Sequence, residues 1–156
     1  MSKMPLERVK SFIKKFDETL EPIVLNEEMH TSEAAARMLG VETGQIAKSI
    51  LFKCGSEFGL FVAAGDVRID PKKVKQQLGP GKVKMASAEE VLEMTGFQPG
   101  AVCPYALAAN LPIYLDESLA RFDTVYTAAG IPESLLPVSL DVLKDMTGGT
   151  VINLQK

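Results

Sequence analysis

Ile50-Leu51-Phe52-Lys53-Cys54-Gly55-Ser56-Glu57-Phe58-Gly59-Leu60-Phe61-Val62-Ala63-Ala64 carries the clearest structural signal in the chain. Two apolar runs, Ile50 to Phe52 and Leu60 to Ala64, flank Gly55-Ser56-Glu57-Phe58-Gly59, which reads as a hairpin connection. Runs this close, with turn residues between them, pair most simply as antiparallel strands. Upstream, Glu42 to Ala47 reads as a short helical stretch leading into the first run. Before it, Thr31 or Ser32 caps a helix that runs through Ala34, Ala35, Ala36 and Met38 and stops at Gly40.

Toward the amino terminus, Ile23-Val24-Leu25 reads as a short strand after Pro22. Ahead of it, Leu6, Val9, Phe12, Ile13, Phe16 and Leu20 recur at helical spacing over Pro5 to Leu20, leaving Lys10, Lys14, Lys15 and Asp17 for the wet face. Downstream of the hairpin, Asp70-Pro71 opens a helix that ends at Gly79-Pro80-Gly81. Val83-Lys84-Met85 reads as a strand, and Ser87 with Glu90 forms a capping box for a helix ending at Gly96. Gln98 to Leu107 is a Gly- and Pro-containing loop. Pro112 to Leu115 and Val125 to Thr127 read as strands, Ser139 caps a helix over Leu140 to Met146, and Val151 to Leu154 closes the chain as a strand.

Helices and strands alternate irregularly, with no repeat period and no linker. The expectation is one α+β domain over residues 1–156: a mixed, mostly antiparallel sheet flanked by helices. The 156 residues are 46% apolar and 24% charged, which argues against disorder. No apolar run approaches the roughly 20 residues of a membrane span, and Met1 to Arg8 does not resemble a secretory signal. A cytoplasmic protein with no membrane partner is expected. Two cysteines, Cys54 and Cys103, make no disulfide framework, and with His30 as the only histidine the usual thiolate and imidazole zinc clusters cannot be assembled. A carboxylate-rich magnesium site has no motif to suggest it, and neither metal nor cofactor is expected. The net charge of −3 argues against extensive contact with duplex nucleic acid, yet leaves room for contact with one nucleic-acid end through a few lysines such as Lys82 and Lys84.

An ordered series of short motifs carries more. It comprises His30-Thr31-Ser32-Glu33-Ala34-Ala35, Gly44-Gln45-Ile46-Ala47-Lys48-Ser49-Ile50, Ala64-Gly65-Asp66 and Ala88-Glu89-Glu90-Val91, followed by Gly100-Ala101-Val102-Cys103-Pro104, Ile113-Tyr114-Leu115-Asp116-Glu117 and Ala129-Gly130. In this order and spacing the series resembles the YbaK/ProX family and the editing domain inserted in bacterial prolyl-tRNA synthetases. The likeness covers roughly Thr31 to Met146, with the leading helix, about residues 4–20, outside the best-matching part. It implies the editing-domain fold and hydrolysis, in trans, of the ester between a wrong amino acid and the terminal adenosine of tRNA. The substrate would be of cysteine, alanine or serine/threonine type. The implied partners are the acceptor end of a mischarged tRNA and an aminoacyl-tRNA synthetase.

By the same resemblance Lys48 holds the terminal nucleotide or the ester. Gly100 and Pro104 match a G-x-x-x-P loop whose backbone, including Ala101, would offer N–H groups to an oxyanion. Asp116 would meet the substrate's α-ammonium or hold Lys48, failing which it caps the turn after its strand. His30, Thr31, Ser32, Ser49 and Gly130 would border the substrate; the plainer roles are closing the turn for His30, helix capping for Thr31 and Ser32, and turn geometry for Gly130. With no Ser-His-Asp set, the expected chemistry is attack by a positioned water. Two other readings stand beside it. One is a non-catalytic module for an aminoacyl-tRNA end or a synthetase. The other is a thiol hydrolase using Cys103 with His30 as its base.

Overall fold

The computed structural model describes residues 4–156. Its centre is the hairpin: β2, Ile46–Cys54, antiparallel to β3, Glu57–Ala64, in a register from Ala47↔Ala64 to Cys54↔Glu57. The connection is the two residues Gly55-Ser56, tighter than the sequence suggests, because Glu57 and Phe58 continue the ladder. β2 also starts earlier than its apolar run. Ile46 and Ala47 pair in parallel with Tyr126 and Thr127 of β6, Val125–Ala128, so the expected helical stretch shrinks to the single 3-10 turn Thr43–Gln45.

Eight strands form one sheet. Its order is β1 (Ile23–Val24), β7 (Ser134–Val138), β6, β2, β3, β5 (Ile113–Asp116) and β8 (Thr150–Ile152), with β4 (Val83–Met85) pairing the far end of β2 beside β6. The β1–β7, β7–β6, β2–β3 and β2–β4 pairs are antiparallel; β2–β6, β3–β5 and β5–β8 are parallel. β7 has no counterpart among the elements expected from the sequence, and it contains Pro137, which cannot donate to a ladder. It is tolerated there for a geometric reason. The carbonyl of Glu133 faces β1, accepting from Leu25 N–H, and by alternation Pro137 turns its nitrogen to the same side. β1 pairs only with Ser134 and Leu135, so at Pro137 that side is a free edge.

Both faces of the sheet are covered, which explains the unbroken apolar run of β3, fully buried from Leu60 to Ala64. On one face Phe52, Phe61 and Ala63 pack with Ile69, Leu154 and the Val74 and Leu78 side chains of α3, Pro71–Leu78. Helix α2, Ser32–Leu39, packs Ala35 and Ala36 against Ile46 and Leu135. On the other face Ala47, Val62 and Ala64 meet α1 (Met4–Phe16), the 97–111 segment and α5 (Leu140–Thr147). The remaining helix, α4 (Ala88–Thr95), sets Val91 against Leu51 and Leu60.

The leading helix belongs to this core. Leu6, Val9 and Ile13 are 3%, 0% and 0% exposed, and burial of such side chains contributes roughly 1.5–3 kcal/mol each. It ends at Phe16 instead of continuing to Leu20. The Asp17 carboxylate accepts from the Thr19 N–H and hydroxyl, a local turn that competes with the next helical bonds. Among the described residues no helix is long and apolar enough to cross a membrane.

Candidate active site

Strand β2 is longer than either neighbour on its outer side. β6 accompanies it only at Ile46 and Ala47, and β4 only from Phe52, with Ala86 N–H donating to the Leu51 carbonyl. Lys48, Ser49 and Ile50 therefore have β3 on one side and no strand on the other. Backbone polar groups alternate sides along a strand, and Leu51 points to the β4 side, so Ser49 directs its N–H and C=O into the gap. The hydroxyl of Ser49 is buried there without a hydrogen-bond partner.

A cavity of about 160 Å³ opens at this gap. Its walls are the start of α2 (Thr31, Ser32, Ala35) with Met29 and His30, the bare stretch of β2, Gly100 and Val102 from the loop, and Ala128, Ile131, Pro132, Ser134 and Leu135 from the β6–β7 turn. The mixed lining suits a small group with an apolar side and a few polar atoms. At its edge the Lys48 ammonium donates to the Val67 carbonyl. Burial pulls the pKa of Lys48 below the ordinary lysine value, the Asp66 and Glu33 carboxylates oppose that shift, and Arg68 adds to it. Asp66 is itself held by a two-point ion pair with Arg121, at 2.6 and 3.1 Å, and the guanidinium lowers the carboxyl's pKa.

Six of the residues singled out in the sequence meet at this cavity: His30, Thr31, Ser32, Lys48, Ser49 and Gly100. Thr31 also caps α2, its Oγ1 accepting from Ala34 N–H at 3.0 Å. His30 sits at the rim, its side chain 72% exposed and 3.3 Å from Glu28. Gly100, at φ +91°, turns the loop so that its backbone faces the cavity.

Four others lie elsewhere. Ala101 is buried and its N–H donates to the Gln98 carbonyl, so the donors that the loop can turn to the cavity belong to Gly100 and Val102. Pro104 lines a different hollow, beside Phe12 and Thr147. Gly130, at φ +103°, is where the chain passes α1: a Cβ there would lie 2.7 Å from the Pro5 carbonyl oxygen. Asp116 is fully buried, accepting from the N–H groups of Ser118 and Leu154 and from the Gln155 amide. It caps the turn after β5 and anchors the chain's end, and has no contact with Lys48.

Cys103 is fully buried outside the cavity, its thiol pushed up to about 12 by burial, and His30 lies at the exposed rim. A nucleophilic thiolate has no basis in that arrangement. The sequence reading missed Val102, Ala128 and the Ile131–Leu135 wall. Those residues are apolar or small and carry no chemical signature; only the unexpected strand β7 brings them in.

Comparison with known proteins identifies the family and the fold. Residues 26–146 match the family model of the aminoacyl-tRNA editing domain. The chain belongs to that family. Over 118 residues it is 44% identical to "Uncharacterized protein YwhH" of Bacillus subtilis (strain 168), covering 75% of this chain and 74% of that one. Over 126 residues it is 26% identical to "Putative Cys-tRNA(Pro)/Cys-tRNA(Cys) deacylase EbsC" of Enterococcus faecalis, covering 80% and 76%. A solved structure titled "Crystal structure of a putative trans-editing enzyme for prolyl tRNA synthetase" superposes with a TM-score of 0.91 at 33% identity, over 100% of this chain and 99% of that one. The chain is also 37% identical over 89 residues to the proline–tRNA ligase of Bacillus pumilus, where the match spans only 16% of that much longer protein. Helix α1, outside the matched residues 26–146, is inside the superposition.

Proposed function

We propose that this editing domain is a free-standing deacylase that hydrolyses the ester of a mischarged tRNA in trans. The observation that carries the reading is the gap in β2. It brings a half-buried ammonium, an unpartnered hydroxyl and the free backbone edge at Ser49 to the same small-amino-acid-sized cavity that Gly100 and Val102 line, and in this reading the loop supplies N–H donors there. Its 160 Å³ falls below the roughly 300–1,000 Å³ of clefts that take drug-sized ligands, in keeping with a cysteine-, alanine- or serine/threonine-type aminoacyl group lying inside and the adenosine outside.

In this mechanism Lys48 holds the terminal nucleotide at the mouth. Water attacks the ester carbonyl carbon, and the carbonyl electron pair moves to oxygen, where the backbone N–H groups receive it. The tetrahedral intermediate collapses by expelling the ribose oxygen, which takes up the proton released by the attacking water. The products are the free amino acid and the tRNA hydroxyl. No enzyme nucleophile is needed, and an aminoacyl ester is reactive enough that positioning and oxyanion donors suffice.

A panel of tRNAs charged with cysteine, alanine, serine and threonine tests the reading, with wild type beside Lys48→Ala. Turnover of at least one by the wild type, lost in the variant, is expected. Binding without turnover of any of the four would establish the non-catalytic module instead.

A further inference from the structure

The acidity of the chain is unevenly distributed. Between Val67 and Met85 there are six cations, Arg68, Lys72, Lys73, Lys75, Lys82 and Lys84, against the single acid Asp70, a local charge of +5 in a chain of net −3. This segment is one structural unit, running from the end of β3 through α3 to β4. Asp70 is already engaged as the cap of α3, accepting from Lys72 N–H at 3.0 Å.

A groove of about 360 Å³ lies along this unit. Its floor is apolar, built from Ile50, Phe52, Ile69, Val83 and a Met85 side chain that is 66% exposed. Lys48 and Arg68 line it together, and Lys48 also lines the cavity, so groove and cavity adjoin at that one lysine. The two cations stand close enough for Arg68 to disfavour the charge on Lys48. Among the described residues the Arg68 side chain makes no ion pair or hydrogen bond. Two neighbouring cations at the end of an apolar-floored groove match a ligand with an anionic linkage and a flat, weakly polar face. A nucleotide has both.

Resting on the deacylase reading, we propose that this groove is the exit track of the RNA strand: the nucleotide preceding the terminal adenosine lies on the Ile69–Met85 floor, with its phosphate at Arg68. The strand continues toward Lys84 and Lys72, away from the aminoacyl cavity. The track is short, which reconciles a nucleic-acid partner with a net negative protein: single-stranded RNA meets a few cations here, and no broad basic face is required.

The test uses the full chain and a fluorescently labelled, uncharged RNA hairpin ending in four unpaired nucleotides, ACCA-3′, titrated by anisotropy at several salt concentrations. Arg68→Gln is expected to weaken binding about 5- to 10-fold at low salt. It should also lower the slope of log affinity against log salt by about 0.7, the value for one lost contact to a single strand. Arg68→Gln with Lys84→Gln should weaken it further, and Lys144→Gln on α5 should bind as wild type. In turnover assays Arg68→Gln should raise KM with little change in kcat. The proposal is overturned if wild type fails to bind the hairpin, or if Arg68→Gln keeps wild-type affinity and salt slope. It also falls if removing the unpaired ACCA leaves affinity unchanged, or if polyglutamate competes as well as RNA, which would make the segment a general anion patch. Normal RNA binding with no turnover would defeat the deacylase reading alone; normal turnover with a neutral Arg68→Gln would defeat the track alone.

Discussion

Lys48 and Asp116 are charged residues on strands that flank β3, and both fall within motifs of the editing family, yet they live in opposite environments. Lys48 pairs across β2–β3 with Ala63, and Asp116 follows Leu115, the partner of Val62. Their backbones are thus two strand spacings apart, roughly 10 Å. Lys48 has one internal acceptor, the Val67 carbonyl, and keeps the rest of its donor capacity for the cavity and groove. Asp116 has three internal donors and no exposure. In the proposed reading the first is left to meet a ligand, whereas the second is fully engaged in holding the chain together. A motif match identifies both positions as constrained; only the count of satisfied hydrogen bonds separates a ligand-facing group from a structural one.

Substitutions sharpen this contrast. The largest effect is expected for Lys48→Ala, a loss of about 10²-fold in kcat/KM for deacylation, the scale of removing one charged hydrogen bond to the terminal nucleotide, with the unfolding midpoint in urea nearly unchanged. An equal loss in stability would break the distinction. Asp116→Ala should do the reverse. Leaving the Ser118 and Leu154 N–H groups buried and unpaired should cost about 2–4 kcal/mol in the same denaturation experiment, while activity per folded molecule, from active-site-normalised turnover, stays near wild type.

Ser49→Ala comes next. Its hydroxyl has no internal partner, so stability should hold or rise by up to about 1 kcal/mol, whereas relative turnover of serine-, cysteine- and alanine-charged tRNA should change. Unaltered selectivity would remove Ser49 from the amino-acid site.

The smallest effect concerns Asp66, the carboxylate beside Lys48. Its ion pair with Arg121 lowers its folded pKa below the ordinary 3.8. The unfolded chain therefore binds more protons in the window beneath 3.8, and the stabilisation is present at neutral pH and lost as pH falls through the folded pKa. The pair is partly exposed, so screening keeps the effect small. The stability difference between wild type and Asp66→Asn should be measurable at about pH 7 and should shrink toward zero as the pH falls below the ordinary carboxylate value and through the lowered folded pKa. A difference that persists in acid would mean that the carboxylate's charge is not what stabilises the fold there.

Much of the fold was legible because it is written in local chemistry. Thr31, Asp70, Ser87 and Ser139 cap their helices through bonds to residues two or three positions on, and Gly40, Gly96 and Gly148 end helices in the left-handed conformation. The central hairpin was legible for the same reason. What the sequence hid depends on distant partners. β7 was not expected at all; it contains Pro137, whose missing donor matters only if another strand lies on that side. The early start of β2 was obscured because Ile46 and Ala47 become strand by pairing with residues some 80 positions away. At the site, Lys48, Ser49 and Gly100 carried signals of their own, whereas Ala101 and Gly130 looked functional until the turn at Gln98 and the close passage of α1 accounted for them.

By itself, then, the sequence determined where helices start and stop, which runs are apolar enough to be buried, and which motifs place the chain in the editing family. Each of these rests on contacts a few residues apart or on residue identity. The tertiary structure decided that β6 and β4 leave three residues of β2 without a strand on their outer side, and that this bare edge faces the Gly100 loop. It also decided that Lys48 opens outward while Asp116 is sealed. Strand pairing joins segments far apart in sequence, and an unpaired edge becomes recognisable only once every other edge has found its partner.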